Sequence, residues 1–156
     1  MSQVPANHEK MVHLRAEKVA RVAQEFAPLE VYGKKDADLL ILGWGGTRGV
    51  IQLAVDKLIK EGHAVASAHL RYMNPLPNDL KPLLQRYKKV LIPELNTGQL
   101  WYHLRAEFLM DFERLNKVRG QPFKSSEIIE KVKNITYPAL FDQEIKLINR
   151  ALILAF

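Results

Sequence analysis

Asp38-Leu39-Leu40-Ile41-Leu42-Gly43-Trp44-Gly45-Gly46-Thr47-Arg48-Gly49 is the stretch that decides the fold. The apolar run from Asp38 to Leu42 reads as a strand covered on both faces. Gly43 to Thr47 forms a glycine-rich turn. From about Arg48 to Glu61, Val50, Ala54, Val55 and Leu58 fall on the inner side of a helix, and Gly62 ends it. A strand, a tight turn and a helix in that order open an α/β unit.

The same alternation continues downstream. Ala64 to Leu70 is a second strand, and Asn74-Pro75-Leu76-Pro77-Asn78 is a rigid loop. Asn78 or Asp79 can cap a short helix that runs through Arg86. Lys89 to Pro93 is a third strand, closed by Glu94-Leu95-Asn96-Thr97-Gly98. Gln99 to Met110 is a helix with Leu100, Trp101, Leu104 and Phe108 inward. An extended piece near Lys117-Val118 and a helix over Ser126 to Val132 complete the unit, with Ser125 and Ser126 placed as caps. The fold class expected is α/β: a three-layer sandwich around a mostly parallel sheet. Both loops that leave strand ends, Gly43–Gly49 and Glu94–Gly98, are then expected at one edge of the sheet, because right-handed crossovers put them there.

Upstream, Val12, Ala16, Val19, Ala23 and Phe26 recur at helical spacing, and Pro28 stops the pattern. Residues 1–29 therefore read as an amphipathic connector helix, and residues 30–135 as the domain proper. Residues 136–156 read as a helical tail, with Phe141, Ile145, Ile148 and Leu152 in register. The connector needs a partner surface for its apolar stripe: the core of this domain, a neighbouring subunit or a second copy.

Bulk properties narrow the functional classes. The 156 residues contain no cysteine, so no disulfide, thiolate nucleophile or cysteine-ligated cluster can come from them. The net charge of +6 suits an acidic partner or an anionic ligand. Lys34-Lys35 and Lys88-Lys89 are the densest basic pairs and carry no interleaved aromatic platform, so nucleic-acid binding is not expected. No apolar run reaches the ~20 residues of a membrane helix and no secretory pattern opens the chain, so a cytoplasmic protein is expected.

Ligands of such sheets bind beyond the strand carboxyl ends. The glycine turn offers free N–H groups at a helix start, where Gly45, Gly46, Thr47 and Arg48 are candidates for a phosphate or carboxylate contact. The competing reading is a tight turn that lets strand and helix pack closely. Neither G-x-G-x-x-G nor G-x-x-x-x-G-K-[ST] is satisfied, and no acidic residue closes the second strand, so dinucleotide binding is disfavoured. Glu94 lacks a nearby histidine or second carboxylate, so it is expected to pair across an interface, with Asn96 and Gly98 beside it, while Asn96 or Thr97 caps the next helix. No catalytic residue is assigned. His8, His13, His63, His69 and His103 lack metal-ligand spacing, so no metal site is assigned and all five are expected to be structural or exposed.

The order of these elements resembles the carboxyl-terminal domain of transketolase-like thiamine enzymes over about Asp38 to Met110. Closer segments are similar to the alpha subunit of 2-oxoglutarate:ferredoxin oxidoreductases. These are Asn7 to Val19, Leu70-Arg71-Tyr72-Met73-Asn74-Pro75-Leu76-Pro77, Val90 to Leu100, Leu104 to Phe108 and Asn116 to Phe123. The turn Gly45-Gly46-Thr47-Arg48 departs from the family's serine-threonine-aromatic run.

The resemblance implies a multi-subunit enzyme that decarboxylates a 2-oxoacid on thiamine diphosphate. Such an enzyme joins the acyl group to coenzyme A and passes electrons through an iron–sulfur cluster to ferredoxin. It implies that thiamine diphosphate, Mg2+ and the cluster lie mainly on a beta subunit, so this domain binds no cofactor and serves packing and assembly. The expected partners are that beta subunit and the upstream domains of the alpha subunit, with dimerisation a further possibility. The chain is expected to be a segment of a longer subunit and inactive alone. Two rival readings stand: the same domain of a pyruvate or branched-chain oxidoreductase, and a free-standing anion- or nucleotide-binding module.

Overall fold

The apolar run that opens the motif becomes the middle strand of a five-stranded sheet. A computed structural model describes residues 4–137. The strands are β1 (Val31–Gly33), β2 (Leu39–Trp44), β3 (Val65–Leu70), β4 (Lys89–Glu94) and β5 (Glu113–Asn116). Their order across the sheet is β1-β3-β2-β4-β5. β2 pairs in parallel with both β3 and β4, and β5 adds in parallel to β4. Only β1 is antiparallel, with Val31 opposite Ala68.

Alternation along β2 feeds two cores. Leu39 and Ile41 face α2 (Arg48–Lys60) and α5 (Ser125–Thr136), where Ile51, Ala54, Val55, Leu58, Ile128 and Val132 are buried. Leu40 and Leu42 face the opposite layer, α3 (Leu80–Leu84) and α4 (Gln99–Phe108), against Leu80, Leu84, Leu100 and Leu104. A central strand must therefore be apolar at every position, which is why periodicity vanishes there. Each fully buried leucine or isoleucine contributes about 1.5–3 kcal/mol relative to exposure. The expected three-layer α/β sandwich with a mostly parallel sheet is the architecture observed.

Several local expectations are corrected. The last strand lies at Glu113–Asn116, earlier than Lys117-Val118, as an edge with alternating burial. Ile51 joins Ala54, Val55 and Leu58 on the buried face of α2, and Val50 packs half-buried against the same core. Asp79 caps nothing with its side chain. Its Oδ2 instead accepts the Leu29 N–H at 2.7 Å, latching the connector onto the start of α3. Ser125 and Ser126 lie inside α5 and do not cap it. The Glu127 carboxylate reaches back to the Lys124 N–H at the helix start and also meets Lys117 Nζ at 2.9 Å. Those two donors hold the Glu127 carboxyl below its usual range, the Lys124 backbone bond first and the Lys117 bond second.

The connector lies mostly outside the core of its own domain. α1 (Pro5–Arg21) buries none of its residues, and Val12 and Val19 are each 44% exposed. A 3-10 turn, Val22–Glu25, follows it, and Ala23 is the first residue of the segment to be buried. Phe26 then stacks on Tyr72 with ring centroids 4.1 Å apart. The stripe thus meets its own domain only at its end, through Ala23 and Phe26. The proposed tail, 136–156, lies beyond the described residues save Thr136 and Tyr137.

Truncation separates these parts. Deleting residues 1–21 should leave the thermal midpoint of the chain unchanged, because α1 buries nothing. Deleting through Phe26 should lower it by a few degrees, since a stacked aromatic pair is worth about 0.5–1.5 kcal/mol beyond its area. Differential scanning calorimetry on both truncations reads the contrast, and an equal drop for both would refute it.

Candidate functional site

Gly43, the last residue of β2 but one, has room for hydrogen alone. A Cβ there would overlap Ile51 Cδ1 and come within 2.9 Å of Thr47 Oγ1 and 3.1 Å of His69 Nδ1. α2 therefore starts directly over the strand end. Gly45 follows with φ +58°, a left-handed conformation that glycine adopts freely. The Thr47 hydroxyl donates to the Trp44 carbonyl at 2.8 Å and accepts the Trp44 N–H at 3.2 Å. That side chain is buried and occupied by its own turn.

The four anion candidates consequently separate. Thr47 is used internally, and Gly45 and Gly46 are exposed with open space where a side chain would stand. With Trp44 and Thr47 they border a hollow of about 150 Å³ whose other wall is Leu95 and Asn96. The two loops thus share one edge of the sheet. Arg48 belongs to a different hollow, described below.

Across that edge, Glu94 is fully buried at the end of β4. Its Oε1 accepts the Leu100 N–H at 2.8 Å and the Trp44 indole N–H at 3.3 Å, and its Oε2 accepts the Trp101 N–H at 3.0 Å. The first amides of a helix have no intrahelical acceptor, and a negative group there also meets the positive end of the helix dipole. Asn96 Oδ1 accepts the two preceding amides, Gly98 at 2.6 Å and Gln99 at 3.0 Å. The expected Asn96 cap is present. Gly98 holds φ +103° against the Asn116 side chain, which donates to the Asn96 carbonyl at 2.9 Å.

Of the interface candidates Glu94, Asn96 and Gly98, Glu94 and Gly98 are buried within the domain and Asn96 is half-buried. The Glu94 carboxylate, the Asn96 Oδ1 and carbonyl, and the Gly98 N–H all bond within the domain, holding β4, α4 and β5 together. No sequence motif announces a strand-end carboxylate that caps a helix six residues ahead. The signal was an acidic residue closing an apolar strand just before Asn-Thr-Gly.

A larger cleft, about 380 Å³, lies between the connector (Glu25 to Glu30) and the carboxyl ends of β2 and β3. Arg48, His69, Arg71 and Tyr72 line it. Burial depresses the His69 imidazole below its ordinary value, the neighbouring Arg48 charge adds to this, a Gly45 backbone hydrogen bond opposes it, and Arg71 lowers it further. His69 Nδ1 is buried without a hydrogen-bond partner. His69 and Arg71 were not singled out as ligand residues, because the sequence does not reveal that Arg48 from another element joins them.

Among the described residues no group of three His, Asp or Glu side chains is placed to hold a metal ion. With no cysteine in the chain, it supplies no thiolate ligand for an iron–sulfur cluster. No helix among them is long and apolar enough to cross a membrane.

Residues 37–137 match the family model described as pyruvate:ferredoxin oxidoreductase core domain II. The chain is 43% identical over 129 residues to the 2-oxoglutarate oxidoreductase subunit KorA of Mycobacterium tuberculosis, covering 82% of this chain and 19% of that protein. It is 31% identical over 101 residues to a 2-oxoglutarate synthase subunit KorA of Methanocaldococcus jannaschii, covering 64% of this chain and 27% of that one. Among solved structures it resembles 2-oxoglutarate:ferredoxin oxidoreductase from Magnetococcus marinus, with 2-oxoglutarate, coenzyme A and succinyl-CoA bound. The TM-score is 0.78 at 34% identity, over 85% of this chain and 24% of that one.

Glu94→Gln keeps the shape but replaces one acceptor oxygen with a donor, leaving a buried N–H unpaired. It should cost about 1–3 kcal/mol, and Glu94→Ala should cost more because all three donors lose their acceptor. Urea unfolding checks this order; a glutamine variant as stable as the parent would show that the carboxylate is dispensable.

Proposed function

Since the chain belongs to the pyruvate:ferredoxin oxidoreductase core domain II family, we propose that it works as the assembly domain of a 2-oxoglutarate:ferredoxin oxidoreductase alpha subunit. The chain spans 19% of the length of its M. tuberculosis relative, so the reaction belongs to a larger assembly. In this reading the whole enzyme oxidatively decarboxylates 2-oxoglutarate to succinyl-CoA in the cytoplasm and delivers electrons to ferredoxin. The 43% identity to a 2-oxoglutarate oxidoreductase subunit carries the choice of substrate.

Thiamine diphosphate, Mg2+ and the iron–sulfur cluster then reside elsewhere, mainly on the beta subunit. The absence of cysteine from this chain supports that division. What this chain contributes is a rigid three-layer body with a connector projecting from it. Residues 1–29 act as the connector, and the exposed Met11, Val12, Leu14 and Val19 of α1 face upstream domains or the beta subunit. Such a stripe loses its exposure only in the assembly, where burial supplies the driving force. Residues 30–135 form the body and 136–156 an appended tail.

Activity measurements test the reading. The purified chain alone should reduce no viologen with 2-oxoglutarate and coenzyme A. Deleting the coding region for residues 37–137 from the native gene should abolish 2-oxoglutarate-dependent viologen reduction in cell extracts while pyruvate- and 2-oxoisovalerate-dependent reduction persist. Loss of one of those two activities in place of the 2-oxoglutarate activity would transfer the domain to the corresponding enzyme. No loss at all would overturn the assignment.

A further inference from the structure

The cleft beside the connector carries an inference that rests on this chain's own geometry and not on the family assignment. We infer that it binds a phosphate-bearing small molecule, its anionic group held by Arg48 and Arg71 beside His69 and its ring against Tyr72.

The two arginines come from different elements. Arg48 is the first residue of α2, and Arg71 follows the end of β3, the neighbouring parallel strand. Both guanidinia are exposed, both line the cleft, and both act electrostatically on the imidazole between them. Among the described residues neither forms an ion pair, although seven such pairs are formed elsewhere. Glu25 and Glu30 also border the cleft, yet neither is paired with these arginines. Two guanidinia on one wall, neither in ion-pair contact with the carboxylates across the cleft, make a local field on that wall that favours an anion from outside.

The chemistry of that anion follows from charge and shape. A guanidinium offers a planar fork that matches phosphate oxygens two at a time. Two of them, with the imidazole neutral, suit a dianion. The two carboxylates on the connector side confine the anion to the opposite wall. Tyr72 is stacked on Phe26 and remains 48% exposed, so an aromatic base has a supported ring to lie against. A volume of about 380 Å³ falls within the range of small-molecule sites. A second hollow of about 100 Å³ shares Glu30, Arg48 and His69 with it and adds Tyr32, Gln52 and Ser67, extending the polar wall.

Titration calorimetry of the full 156-residue chain at constant ionic strength tests the site with pyrophosphate, ADP, adenosine and succinate. ADP should bind most tightly, pyrophosphate measurably, and adenosine and succinate not at all. Arg48→Gln and Arg71→Gln should each weaken ADP binding by roughly tenfold or more, the loss expected for a charged hydrogen bond. Arg71→Lys, which keeps charge without the fork, should fall between parent and Arg71→Gln. Lys35→Gln, an equal charge change away from the cleft, should leave affinity unchanged. Superimposable circular dichroism melts establish that the arginine variants are folded; were Arg71→Gln to unfold, the lysine variant alone decides. Failure of both ADP and pyrophosphate to bind, succinate binding as well as pyrophosphate, or Lys35→Gln weakening binding as much as Arg71→Gln would each overturn the inference.

Discussion

Burial of one carboxylate governs how the carboxyl-terminal edge of this domain is built. Glu94 has no exposure, and three N–H donors converge on it from two different elements. Removing a carboxylate from water is expensive, and only well-placed donors offset the cost. Leu100 and Trp101 supply amides that α4 would otherwise leave unsatisfied, so one contact answers two needs. The third donor, the Trp44 indole, comes from the neighbouring strand's turn. That bond ties the β2 loop to the β4 loop in a way that backbone pairing does not, since the recorded β2–β4 register extends only from Leu39 to Ile41. Past those pairs the Trp44–Glu94 bond links the two strand ends.

Much of the architecture was legible because central parallel strands leave a strong signature. Leu39 to Leu42, Ala64 to Leu70 and Lys89 to Pro93 are apolar at nearly every position and are punctuated by glycine or proline. Burial on both faces produces that pattern and helical amphipathicity does not. β1 left no such trace. Val31-Tyr32-Gly33 is three residues long, and tertiary pairing with β3 makes it a strand where local preference is silent. β5 was misplaced for a related reason: Glu113-Arg114-Leu115-Asn116 is an edge, polar on alternate residues, and its identity depends on β4 beside it.

The polar sites were less legible, and the failures share a cause. Asp79 and Glu94 were read through their nearest sequence neighbours, as a cap and as an interface residue. The Asp79 partner is Leu29, fifty residues away, and of the three donors to Glu94 one, Trp44, is also fifty residues away. Hydrogen bonds with that separation cannot be inferred from spacing. Asn96, by contrast, bonds two and three residues ahead, and the sequence reading found it. The amphipathic connector shows the complementary limit: its periodicity was clear, but periodicity does not say which surface covers it.

Local and long-range contacts meet in the turn between Trp44 and Arg48. Thr47 is held to the Trp44 backbone by two hydrogen bonds, and Trp44 is held to Glu94. The position of Arg48, at the head of α2, is therefore set by a carboxylate on another strand. Gly43 completes the constraint, because only a residue without a Cβ lets Ile51 and Thr47 close over the strand end beside His69. The hollow between the two loops and the arginine-lined cleft consequently both border this braced turn, one through Trp44 to Thr47 and the other through Arg48. A turn fixed from both directions loses little entropy when something docks against either side, and preorganisation of that kind favours binding over rearrangement. The hollow between the loops and the arginine-lined cleft thus depend on the same few buried contacts.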